Sequence, residues 1–84
     1  PEPDMFRRML LRHLELLHHH FDAVIALRKF RQAALYPAAM FQYGHVFYKK
    51  LRNAGDRETL TAAIHDFFDA APRPMDRPNM NLFR

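Results

Sequence analysis

The chain reads as an all-α protein, a small three-helix bundle with four segments as the alternative, followed by an extended, proline-rich C-terminal tail. Three observations predict this. Apolar residues recur at helical spacing in three stretches, acidic residues stand where they can cap helices, and Pro37, Asn53-Ala54-Gly55 and Pro72 punctuate the chain between them. The expected division is a helical unit over 1–71 and a tail over 72–84.

The first stretch, Met5 to Leu27, organises the rest. At 100° per residue, Phe6, Met9, Leu10, Leu14, Leu17, Phe21 and Val24 fall on one face, opposite Arg8, Arg12, Glu15, His19 and Asp22. Asp4 is expected as the N-cap and Pro3 as a stop, so the helix begins at or near Met5. Beyond Leu27 the register is lost, because Arg28 and Arg31 land on the buried side and Phe30 on the back. Either Asp22 caps a separate helix or the first helix runs on to Tyr36, and Pro37 sets the far boundary in both cases.

The second pattern, Ala38 to Arg52, places Met40, Tyr43, Phe47 and Leu51 on one face and ends at Asn53-Ala54-Gly55, with Gly55 expected in the left-handed position after the helix. A strand through Val46, Phe47 and Tyr48 is the competing reading, but these residues show no period-two alternation. In the third pattern Asp56 caps a helix from Arg57 to about Ala70, with Leu60, Ala63, Ile64, Phe67, Phe68 and Ala71 in one stripe, and Pro72 stops it. The tail has no periodicity, yet Met75, Met80, Leu82 and Phe83 make it apolar enough to lie along another surface.

A chain of 84 residues has a thin core, and this one carries eight Phe, three Tyr and five Met with no Cys to staple it, which predicts apolar surface buried against a partner. The net charge of +4 favours an acidic or phosphorylated partner. Three basic clusters carry it: Arg7/Arg8/Arg12, Arg28/Lys29/Arg31 and Lys49/Lys50/Arg52. The chain has neither Cys nor Ser, its acidic residues sit at caps or on solvent faces, and there is no glycine-rich loop, so no catalytic constellation can be assembled.

His18-His19-His20 splay by 100° on a helix and offer only half-sites, so neither a metal nor another cofactor is expected. The longest uncharged run, Gln32 to Tyr48, is 17 residues, short of the roughly 20 that span a bilayer, so any membrane contact is expected to be peripheral. Nucleic-acid binding is disfavoured because no recognition-helix pattern appears and the charge is spread over three elements.

Met5-Phe6-Arg7, or Phe6-Arg7-Arg8 one residue on, followed by Leu11-Arg12, resembles the Leu-Tyr-Arg opening of the mitochondrial LYR-motif proteins, with its Leu-Arg a few residues later. Met for Leu and Phe for Tyr are the replacements in the first register; in the second, Arg7 stands where Tyr belongs. Arg12-His13-Leu14-Glu15 looks like the same helix in an accessory subunit of respiratory complex I, and Ala71-Pro72-Arg73-Pro74 with Asp76 is similar to the C-terminal extension of another.

The resemblance implies a three-helix bundle that clasps the acyl chain of an acyl carrier protein, a motif arginine meeting that protein's acidic helix. It also implies a location on the matrix side of the mitochondrial inner membrane, with cytoplasm as the alternative. The expected role is a non-catalytic accessory subunit of a respiratory-chain assembly that contacts other protein subunits. The candidate partner-binding residues are Arg7, Arg8, Arg12, Phe47, Lys49, Lys50, Arg52, Met75, Leu82 and Phe83. The alternatives are a free-standing helical regulator of one protein target and, third, a nucleic-acid-binding helical domain.

Overall fold

Proline at the first helical position opens the chain instead of blocking it. In the computed structural model, which describes residues 2–75, the first helix α1 spans Pro3–His20, with Glu2 at its N-cap and Asp4 inside the first turn. The expected start at Met5 is therefore two residues late, because Pro lacks an N–H that the first turn leaves unbonded anyway and its fixed φ suits that position. Asp4 still favours the helix, through the dipole and not as a cap.

Phe21 (φ −132°) and Asp22 (φ −65°, ψ 165°) are extended and end α1. Asp22 then caps α2, Ala23–Ala39, its carboxylate accepting the Ile25 N–H at 3.0 Å. This settles the open alternative in favour of two helices and explains Phe30, which the new register buries completely. It also corrects the expected stripe: Phe21 and Val24 are 42% and 78% exposed, since the chain has already turned at those positions.

Pro37 lies inside α2, contrary to the boundary expected there. It stands in the last turn, where one missing hydrogen bond matters little, and the following Ala38 and Ala39 are buried. The second pattern accordingly starts as a turn, and α3 spans only Gly44–Asn53. Tyr43, expected on the buried face, adopts the left-handed conformation (φ 61°) and is 65% exposed. Gly44 has a packing reason to be glycine, because a Cβ there would come within 1.7 Å of the Ala38 carbonyl oxygen.

Gly55 does not take up a left-handed conformation. Arg31 of α2 satisfies the end of α3 instead, Nη2 donating to the Ala54 carbonyl at 2.6 Å and Nε to that of Leu51 at 3.4 Å. Asp56 caps α4, Arg57–Asp69, and accepts the Thr59 N–H at 2.7 Å; that bond holds its carboxyl below the usual carboxylate range. At the far end Ala71, expected on the buried stripe, is left-handed (φ 53°) and exposed.

Each helix packs on its chain neighbour, and α4 closes back on α1. Leu10, Leu14, Leu27, Phe30, Leu51, Leu60 and Ile64 fill the shared core. At the α1 N-terminal end it becomes aromatic: Phe47 stacks on Phe67 at 4.2 Å, and Phe41 meets Phe6, Phe67 and Phe68 edge-on at 5.2–5.9 Å. Residues 72–75 return along the α2–α3 turn, the Gln42 N–H donating to the Arg73 carbonyl at 2.8 Å and the Met75 N–H to that of Met40 at 2.6 Å. No described helix is long and apolar enough to cross a membrane.

Candidate functional site

Helix α1 has two apolar rows. The inner row, Leu10, Leu14 and Leu17, is at most 9% exposed, with Phe6 and Leu11 packed beside it. The outer row, Met5, Met9 and Leu16, is 53%, 47% and 40% exposed. Arg12 falls between Met9 and Leu16 at helical steps of three and four residues, and Arg8 lies alongside; both are exposed. The result is an apolar and cationic strip about 16 Å long by the helical rise. Met9, expected in the core, thus belongs to the outside.

The arginines of the first cluster do different jobs. Arg7 Nη1 donates to Asp69 at 2.6 Å and Nη2 to Asp4 at 3.5 Å, while its guanidinium lies 6.0 Å from the centre of the Phe68 ring. It therefore ties the start of α1 to the end of α4, where a carboxylate sits badly against the helix dipole. Arg12 is 3.7 Å from Glu15, with both side chains well exposed, so the pair is weak and leaves the guanidinium open to a partner.

Phe47, expected on a docking surface, is 2% exposed and stacked in the aromatic core, because its register on α3 points it at α4. Lys50 lines a shallow groove between α3 and α4 with Tyr43, Val46, Phe67 and Asp66, about 180 Å³ in volume. Lys49 and Arg52 are exposed on α3. Met75 is half-buried, tied by its backbone to Met40, while Leu82 and Phe83 lie outside the described residues. The structure thus brings Arg8 and Arg12 together and does not join them to the α3 cluster.

The histidines lie near a broader depression of about 500 Å³ between the end of α1 and the start of α4, lined by Glu15, Leu16, His18, His19 and Arg57. His18 Nδ1 donates to the Leu14 carbonyl at 3.0 Å, and the His19 and His20 rings meet edge-on at 4.9 Å. Among the described residues no group of three His, Asp or Glu is placed to hold a metal ion.

Sequence reasoning missed the outer apolar row, whose signal was the 5, 9, 12, 16 spacing, and the inward role of Arg31, for which the local sequence carries no signal. No protein-family model, curated protein or solved structure matches this chain.

Proposed function

We propose that the chain is a non-catalytic helical accessory subunit of a larger mitochondrial assembly, of LYR type, which docks an acidic acyl carrier protein on the outer face of α1. The observation that carries this reading is the strip of Met5, Met9 and Leu16 beside Arg8 and Arg12, exposed although the same helix buries a full apolar row on its other side. Methionines adapt to irregular apolar partners, and clustered arginines suit an acidic helix. The resemblance points to the same helix in its Phe6-Arg7-Arg8 register, which puts the motif arginine at the exposed Arg8, whereas the Met5-Phe6-Arg7 register puts it at Arg7, already paired with Asp69.

The test is calorimetric titration of a purified, acylated carrier protein into the wild type and into Arg8→Glu/Arg12→Glu. The double reversal is expected to lose at least about 2 kcal/mol, roughly 30-fold in affinity, with helicity unchanged. Equal binding by both proteins contradicts the proposal. A second reading, a free-standing regulator of one protein target, draws support from the closed core and the two side-chain caps at Asp22 and Asp56, which suit independent folding. The two readings part on the carrier protein: an accessory subunit binds it through Arg8 and Arg12, whereas a regulator of another target does not bind it at all.

A further inference from the structure

The second and third basic clusters are distant in sequence, and each is divided by the fold: Lys29 lies over the Phe21 ring at 4.9 Å and Lys50 turns toward α4, which leaves Arg28 and Arg31 on α2 and Lys49 and Arg52 on α3. Residues 23–55 hold six of the 13 Lys and Arg and none of the nine acidic residues, so α2 and α3 are acid-free. Arg31 reaches across to the last carbonyls of α3, which sets the middle of α2 against the end of α3. Arg28 and Gln32 flank Arg31 at steps of three and one and are exposed.

On α3, Val46, Lys50 and Asn53 take the side toward α4, where they line grooves with Ala63 and Asp66. Arg52 therefore lies on the side toward α2, and His45, Lys49 and Arg52 follow one another at steps of four and three residues. Among the described residues, no ion pair involves a cation of α2 or α3.

We propose that this face, carried by Arg28, Lys49 and Arg52 with Arg31 behind them, binds the phosphate backbone of nucleic acid. The neighbouring side chains decide against the other anionic surfaces. A membrane-surface helix needs bulky apolar groups beside its cations, and a protein interface needs an apolar centre. Here the polar neighbours are Gln32 and His45, and the exposed Val24 and Tyr36 stand singly near the two ends of α2, about 18 Å apart by the helical rise, while the exposed Met5, Met9 and Leu16 cluster on α1. A phosphate backbone asks only for cations and hydrogen-bond donors, and it is recognised without regard to base sequence.

The experiment is fluorescence anisotropy with the full chain and a labelled 20-base-pair duplex, DNA in one arm and RNA in the other. Three phosphate contacts predict a slope of log K against log salt near about −2.7 on DNA, a loss of about 40-fold between 50 and 200 mM salt. Arg28→Gln/Lys49→Gln/Arg52→Gln should lose at least about tenfold in affinity and flatten that slope, whereas Arg8→Gln/Arg12→Gln, which removes the carrier-protein site, should bind nucleic acid like the wild type. If the triple variant does not fold, the single variants serve, each flattening the slope by about 0.9.

Binding by either duplex with these losses supports the assignment. Several results overturn it: no binding to either duplex at low salt, binding unchanged in the variants, or polyglutamate or phosphatidylserine vesicles bound as tightly as the duplexes.

Discussion

The two faces of α1 carry similar apolar mass and meet opposite fates. Leu10, Leu14 and Leu17 are shut into the core, whereas Met5, Met9 and Leu16 stay 40–53% exposed along the same 18-residue helix. Fully burying a side chain of this size contributes about 1.5–3 kcal/mol, so leaving three of them about half exposed forgoes part of that stability. The arginines divide in the same way, Arg7 turned to Asp69 and Arg8 and Arg12 turned outward. The difference teaches that a single helix divides its apolar and arginine side chains between the core and an outer strip, which makes the comparison testable by substitution.

The largest effect should come from charging the inner row. Leu14→Asp places an unpaired carboxylate in a site 2% exposed and is expected to abolish cooperative melting, while Met9→Asp should leave the melt within about 1 kcal/mol of the wild type. Circular-dichroism melts of the pair check this, and equal damage from both substitutions would break the distinction between the faces.

Next is Gly44→Ala, at the contact that holds α3 against the last turn of α2. With the Ala38 carbonyl oxygen 1.7 Å from a Cβ, backbone must move, and a loss of about 3 kcal/mol in urea unfolding is expected. Gly55→Ala, with open space around it, is the control and should be nearly neutral.

How far such features could be read in advance depends on whether their causes were local. Helix α4 was legible throughout, because the Asp56 cap and the Leu60, Ile64 and Phe68 period agree and both lie within one element. The break at Asp22 was legible only as an alternative, since a capping carboxylate looks the same whether or not the preceding helix ends. The placement of Pro37 inside α2, the close approach at Gly44 and the inward turn of Arg31 all depend on α2 meeting α3, which no local pattern encodes.

The candidate site divides likewise. Arg8 and Arg12 were readable as a common face from their spacing. That Arg7 would be taken up by Asp69, 62 residues away, or that Phe47 would be core and not surface, was not.

A smaller effect is expected at the clamp. Arg7→Ala removes the bond to Asp69 and the contact over Phe68, but its carboxylate partners are 71% and 67% exposed and screened by solvent, so the loss should be about 1 kcal/mol. It should also shrink in high salt, and denaturant melts at low and high salt read both quantities. A loss as large as that of Gly44→Ala would mean that Arg7 supports more of the aromatic core than its exposed partners allow.

The smallest effect is at Asp56. Its carboxyl titrates below the ordinary range when folded, so its contribution is complete above the unfolded-state value and fades as pH falls through the folded one. Melts at pH 7 and pH 3 should show Asp56→Asn, which keeps a capping oxygen, losing less stability on acidification than the wild type. An identical acid response in the two proteins removes Asp56 from the account.

The outer face itself is tested most directly by methyl NMR. With the methionine, leucine, valine and alanine methyls labelled, an acylated carrier protein is titrated in at low salt. The account predicts that Met5, Met9 and Leu16 shift or broaden first, with Leu10 and Leu14 unmoved. Shifts confined to the groove between α3 and α4, around Val46 and Ala63, or no shifts at all, would contradict it.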